Sequence, residues 1–213
     1  MKLVDKNPFI QEKCRGKSVI DLGCVCHDLS DEQIKQGIWL HGEIKKTAKD
    51  LVGYDFEKEE IEKLRKRGYN VHFANVEELD DYTQGVRYDT VVMGSIIEHL
   101  SNPGKTLDAI HHVCHEQTEL IITTVNAWSP RYFISALIDK EERTCRPDHV
   151  SWYSHYVMDI LLRRHGFQVT EKYFYNFYPL KMNGIRPFIK VMLKKLFPVL
   201  SHGIVVIARR TKG

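Results

Sequence analysis

The sequence predicts an α/β fold, with an open, mostly parallel sheet of seven strands and helices on both faces, formed as a single domain over 1–213. Three observations lead there. Short β-branched runs alternate with segments of helical periodicity along most of the chain, the pattern of strand–helix–strand units. The runs "YDTVVMGS" and "TELIITTVN" are apolar on both sides, as strands covered by helices on both faces are. The early runs also end at Gly, Asp or Asn, which suit turns and ligand loops.

The elements follow in order. "SVIDLG" reads as the first strand. In "IWLHGEIKKTAKD", Ile38, His41, Ile44, Lys45 and Ala48 recur at helical spacing. "LVGYD" is the second strand, ending in Asp55. "KEEIEKLRKRGY" is an amphipathic helix with Ile61 and Leu64 inward, acids first and bases last as the helix dipole prefers, and Gly68 stops it. "NVHFAN" and "YDTVVMGS" are the third and fourth strands. "NPGKTLDAIHHVC" is helical, with Pro103 in the first turn and Leu107, Ile110 and Val113 on one face. "TELIITTVN" is the fifth strand. The segment Asn126–Trp152 is long, aromatic and partly irregular, the character of a lid or substrate loop. "SHYVMDILLRRHGF" is a helix expected to bury Val157, Ile160 and Leu161, and "FQVTEKYFYNF" and "GIVVIARR" complete the sheet. Between those last two strands, 178–201 is apolar with interspersed lysines. It reads either as a second lid segment packed on the sheet or, through 185–200, as a peripheral membrane contact.

Composition narrows the function classes. At 43% hydrophobic and 28% charged the chain matches soluble domains. A net charge of +3 is too small for an electrostatic footprint on nucleic acid, so none is expected as a partner. No apolar run approaches the roughly 18 residues that span a bilayer. The N-terminal "MKLVDKNPFIQEKCRGK" lacks an apolar signal core, which gives a cytoplasmic expectation. Five cysteines without repeating spacing argue against a disulfide framework.

In sheets of this kind ligands sit beyond the carboxyl ends of the strands. The residues there are Gly23, Asp55, Asn75, Gly94 and Asn126. An acid at the end of the second strand can accept both hydroxyls of a ribose. Asp55 also precedes a helix, where Asp serves as an N-cap, and the two roles are compatible. The first loop, "GCVCHD", lacks the glycine spacing and early helix that cradle a pyrophosphate, so a dinucleotide is disfavoured and a nucleoside without phosphates is allowed.

"VIDLGC", Asp55, "YDTVVMGSIIEHLSNPGKTLDAI", "IITTVNAWS" and "DHVSWYSHYVMDILLRRHGFQV", in that order, resemble the class I S-adenosylmethionine-dependent methyltransferases. The resemblance covers about residues 17–175 and the final strand, and it is nearest to the broad group that includes quinone-biosynthesis enzymes. It implies a Rossmann-like methyltransferase fold, S-adenosylmethionine as cofactor, and a small-molecule or glycan acceptor methylated at oxygen. Position by position, Asp21 matches the acid that opens the first block. Gly23 and Cys24 match the start of the glycine loop against the methionine moiety. Asp55 matches the ribose acid, and Phe56 the residue over the adenine. Asn75 and Val76 match the positions that meet the adenine amino group and ring, and Gly94 and Ser95 the floor of the site.

The chain departs from the pattern at the second and third loop glycines, replaced by Val25 and by Cys26 or His27, and in a longer gap from Gly23 to Asp55. A Cβ at position 25 forbids some positive-φ conformations, so the loop must run differently for the cofactor to bind. If it does, His27 or His41 lines the site. If it does not, the alternative is a methyltransferase-fold protein that has lost catalysis and acts as a binding or regulatory module. Among the eleven histidines, His149 on the long loop and His99 after the fourth strand are the candidate bases, with Glu98 placed to orient His99. "CVCH" lacks the second ligand pair of a structural zinc site, and His111 and His115 are expected on a surface helix, so no metal is assigned. Trp152 and Tyr153 are candidates to shape the acceptor pocket.

Overall fold

The computed structural model describes residues 2–26, 29, 31–83, 85–139, 147–176 and 197–211. The chain opens with strand β1 (Lys2–Val4) and helix α1 (Lys6–Lys13), and β2 (Ser18–Leu22) follows. Two short helices, α2 (Asp31–Lys35) and α3 (Leu40–Lys45), lead to β3 (Asp50–Asp55), α4 (Lys58–Lys66) and β4 (Val71–Phe73). A one-turn helix α5 (Asp80–Thr83) precedes β5 (Tyr88–Gly94), α6 (Pro103–Ile110) and the long β6 (Cys114–Val125). Then come α7 (Pro130–Asp139), α8 (His155–Arg164), β7 (Phe167–Tyr175) and β8 (Gly203–Arg210).

The eight strands among the described residues form one sheet in the order β1-β7-β8-β6-β5-β2-β3-β4. Only β8 runs against its neighbours, pairing antiparallel with β6 and β7. The expected seven strands thus become eight: the three-residue β1 pairs parallel with β7 at the sheet edge. Its sequence "KLV" is too short to show a period. The order reverses between β2 and β5, so a crevice opens beyond their carboxyl ends at Gly23 and Gly94, where such sheets take ligands.

The two-residue period of the strands sorts the core into two faces. Ile20, Leu22, Val91 and Met93 pack with Leu107, Ile110, Met158 and Leu162 of α6 and α8. On the other face Val19, Val92, Ile121 and Val205 meet Ile10 of α1 and Leu40 and Ile44 of α3. Asp21 shares that second face, which decides its partner.

Several local expectations are corrected. Helix α8 buries His155, Met158 and Leu162, while Val157 is exposed and Ile160 and Leu161 are half-buried. Ser154 caps it by accepting the Val157 N–H at 3.2 Å, which sets the phase. Helix α3 starts at Leu40, leaving Ile38 exposed. His111 lies in a 3₁₀ turn and His115 already belongs to β6, so they share no helix face. His111 Nε2 contacts the His165 carbonyl at 2.7 Å, and its ring stacks on Phe167. The segment expected at 178–201 lies outside the described residues except for its last five. There, Pro198–Leu200 form a 3₁₀ turn with Val199 and Leu200 exposed, and the membrane contact proposed for 185–200 likewise falls mostly outside.

Candidate active site

The first loop starts with a left-handed turn. Gly23 has φ +78, and a Cβ there would sit 2.7 Å from Ile96 Cδ1, so only glycine fits. Its N–H donates to the Tyr54 carbonyl at 2.8 Å, tying the end of β2 to the end of β3. Val25 does not take a positive φ. Among the described non-glycine residues Ser95 alone does. The Val25 N–H instead donates to Asp55 Oδ2 at 2.9 Å, and its side chain packs beside Cys24, Trp39, Ile61 and Leu64. The Trp39 indole N–H donates to the Cys24 carbonyl at 2.7 Å. The longer loop therefore closes by packing and side-chain bonds instead of a run of glycines.

Asp55 ends β3 at 7% exposure. Besides Val25, it accepts the Glu57 N–H at 3.2 Å through Oδ1. Glu57 holds the N-cap position of α4 and makes no side-chain cap bond, so the capping role expected of Asp55 is exerted from two residues upstream. Burial raises the Asp55 carboxyl above its usual value, while the N–H groups of Val25, Glu57 and Phe56 pull it down. A carboxylate has about four lone-pair positions, so beyond these three N–H groups about one remains for a ribose hydroxyl. Phe56 beside it is 64% exposed and offers a free aromatic face. Asn75 is exposed and its carbonyl oxygen accepts the Glu77 N–H at 3.1 Å, while Val76 is buried at the start of that turn.

Across the crevice, Gly94 ends β5 and Ser95 follows with φ 60. Left-handed backbone at a non-glycine residue costs about 1–2 kcal/mol and clusters at functional sites. Ser95 is held there by its N–H to the Thr123 carbonyl at 3.0 Å, with its Oγ 3.3 Å from Thr123 Oγ1.

Asp21 and His41 do not line the crevice. Both are buried, with Asp21 Oδ2 2.9 Å from His41 Nδ1 between β2 and α3. The second Asp21 oxygen has no hydrogen-bond partner among the described residues. His27 lies outside the described residues.

The opposite corner gathers Glu98, His99 and His149. One donor atom of each lies within 4.8 Å of the others, and the two imidazoles meet edge to face with centroids 4.6 Å apart. The carbonyl of Glu98 accepts the N–H groups of Val150 and Ser151 at 2.9 and 3.2 Å, which pins the loop after 147 onto the turn after β5. Glu98 is buried, and burial raises its carboxyl to about 7. Sequence reasoning missed Lys6. At the start of α1 it is half-buried, its ammonium pushed below its ordinary value by burial and drawn back by Glu98, Cys26 and Asp21. A lysine ahead of the first recognisable block gives no local signal. Next to this corner, a pocket of about 550 Å³ is lined by Trp128, Tyr132, Phe133, Ala136, Trp152 and Leu200, among others. Trp152 stacks 4.8 Å from Tyr132 there, whereas Tyr153 is buried in the core.

Comparison with known proteins bears on the family and the fold. A family model described as "Methyltransferase domain" matches residues 2–172. The chain belongs to that family. Among curated proteins no sequence relative matches. The fold of this methyltransferase is shared with solved S-adenosylmethionine-dependent enzymes. One from Archaeoglobus fulgidus is 18% identical, with 96% of this chain and 95% of that one covered and a TM-score of 0.62. The magnesium protoporphyrin IX methyltransferase of Synechocystis, solved with bound S-adenosylhomocysteine, is 12% identical over 95% of this chain and 78% of its own, TM-score 0.59. The 1,6-didemethyltoxoflavin-N1-methyltransferase of Burkholderia thailandensis is 16% identical over 94% and 74%, TM-score 0.55. Family and fold together make this chain a class I methyltransferase with S-adenosylmethionine as its cofactor. The groups around the crevice fit that molecule. Asp55 keeps a lone-pair position for a hydroxyl, and the exposed ring of Phe56 stands beside it. No described helix is long and apolar enough to cross a membrane.

Proposed function

We propose that the chain acts as a single-domain methyltransferase on a small-molecule or glycan acceptor, transferring the methyl to an acceptor oxygen. The observation that carries this reading is the crevice with Asp55 on one side and the Glu98–His99–His149 corner on the other. S-adenosylmethionine supplies an electrophilic methyl on a sulfonium. The protein's own groups bind and align the two partners, which is the main demand of an in-line displacement. Asp55 holds the ribose, Phe56 covers the adenine, Asn75 and the Val76 N–H meet its edge, and Gly23, Cys24, Gly94 and Ser95 form the floor. Asp21 acts from behind through His41, setting the loop without touching the ligand. We assign the Lys6 ammonium, which feels the charges of Glu98 and Asp21, to the methionine carboxylate. His149 is the first candidate to take the acceptor proton and His99 the second. The pocket at Trp128 and Trp152 is nearly all apolar, which suits an acceptor with an aromatic or aliphatic body.

The test is titration calorimetry of the full chain with S-adenosylhomocysteine, for the parent and Asp55→Ala. Saturable binding lost in the variant supports the reading. No binding at millimolar ligand overturns it in favour of a module that has lost catalysis.

A further inference from the structure

The Glu98–His99–His149 corner has a second property besides its place in the crevice. Glu98 is 1% exposed, and its Oε2 makes no well-formed hydrogen bond among the described residues, although the Thr124 hydroxyl stands near enough to draw its carboxyl pKa down. A buried acceptor left in that state costs about 1–3 kcal/mol, and more if it is charged. Two imidazoles face the same space, with all three donor atoms within 4.8 Å. Asp148 Oδ2 lies 3.2 Å from His99 Nδ1. That pairing fixes the tautomer of a ligating histidine and leaves Nε2 to bind. Asp148 adds a second carboxylate beside the two imidazoles, which favours a cation there.

We propose that Glu98, His99 and His149 bind a divalent first-row transition cation, such as zinc or manganese. Two imidazoles and one carboxylate suit such ions better than magnesium or calcium, which prefer all-oxygen sets, and three ligands leave positions open. Ligand bonds of about 2.1 Å set donor atoms about 3–4 Å apart, so a small rotation of the partly exposed His99 ring brings the set into range. The backbone bonds from Val150 and Ser151 to the Glu98 carbonyl already hold His149 against the other two ligands.

The site rests on geometry alone, while its role rests on the methyl-transfer reading. An acceptor hydroxyl takes an open position and its pKa falls. The O–H proton passes to water, the oxygen forms the new bond to the methyl carbon, and the electron pair of the breaking C–S bond goes to sulfur. In the metal-loaded protein His99 and His149 serve as ligands, and water takes over the proton-accepting role given to them above for the metal-free site.

The experiment strips the full chain with chelator and titrates it with Co²⁺ and Zn²⁺, following visible absorption and heat. The expected result is about one equivalent bound, with d–d bands for cobalt, weakened at least tenfold in Glu98→Gln, His99→Gln and His149→Ala. Asp148→Asn should weaken binding about tenfold by loosening its hold on the His99 ring. The His99 and Asp148 variants keep the test valid if the buried Glu98 substitution unfolds the chain, and circular dichroism monitors this. No saturable binding, or binding unchanged in the His99 and His149 variants, overturns the site. S-adenosylhomocysteine is titrated in parallel. If metal binds and the cofactor product does not, the site stands and the methyl-transfer reading falls.

Discussion

Asp55 Oδ2 accepts the Val25 N–H at 2.9 Å, so the acid at the end of β3 holds the first loop in place before any ribose reaches it. Asp55→Ala therefore removes a ligand group and a loop anchor together. Calorimetry with S-adenosylhomocysteine should show affinity falling at least tenfold, about 1.4 kcal/mol. Hydrogen exchange at Val25 should quicken in the same variant. Asp55→Asn, which keeps one acceptor oxygen, should fall between. Equal affinity in parent and Ala variant would place the ribose elsewhere.

Phe56 is expected to matter for binding and not for folding. At 64% exposure it contributes little to the core. Stacking of a base on an aromatic ring is worth about 1–3 kcal/mol. Phe56→Ala should weaken the cofactor product about tenfold while leaving the urea midpoint unchanged. A lowered midpoint with unchanged affinity would reverse the assignment.

Asp21 and His41 form a pair with almost no exposure, at 2.9 Å. Taking one partner from a buried pair typically costs about 3–5 kcal/mol, because the other is left behind. His41→Ala should lose stability on that scale in denaturant melts and loosen the loop through Trp39. A loss below about 1 kcal/mol would mean that water enters and serves Asp21 in place of the imidazole.

The acid limb of stability has an identifiable contributor in Asp89. Its carboxylate accepts the Ser18 N–H at 2.8 Å and the Ser18 hydroxyl at 2.9 Å, and it lies 3.1 Å from His115 Nε2. These bonds clamp the starts of β2, β5 and β6. The Ser18 backbone bond comes first in lowering its pKa below the ordinary carboxylate value. The folded value is depressed, so its stabilisation is complete above the unfolded pKa of about 3.9 and is lost as pH falls through the folded value. Asp89→Asn should flatten the fall in stability between about pH 5 and pH 2. Since the side chain is nearly half exposed, the effect at neutral pH should stay under about 1 kcal/mol. A pH profile identical to the parent's would assign the acid limb to other carboxylates.

The parts of the fold legible in the sequence were those with a strong period or a terminal signal. The apolar runs at 18–22 and 88–94, the inward Ile61 and Leu64, and the stop at Gly68 all follow from local chemistry. β1 was not legible, because three residues at a sheet edge carry no period. The phase of α8 was misread because Val157 looks like core, while Ser154 as cap turns His155 and Met158 inward. In the candidate site, Asp55, Phe56 and His99 were marked by their positions after strands and His149 by the long segment that carries it. The Asp21–His41 pair and Lys6 could not, since each depends on a helix packing across the sheet from a distant stretch of chain.

Gly53 lies mid-strand in β3, and a Cβ there would come within 2.6 Å of Cys24 Sγ and 2.8 Å of the His41 ring. The room that a glycine-rich loop makes within itself is made here by the strand next door. Gly53→Ala should accordingly cost about 1–3 kcal/mol, as overpacking does, and pairing it with Cys24→Gly should recover most of that. Glycine at 53 and a side chain at 24 are thus two halves of one volume constraint. Descendants of this chain should change them together, so that a lineage regaining a glycine in the loop becomes free to enlarge the strand.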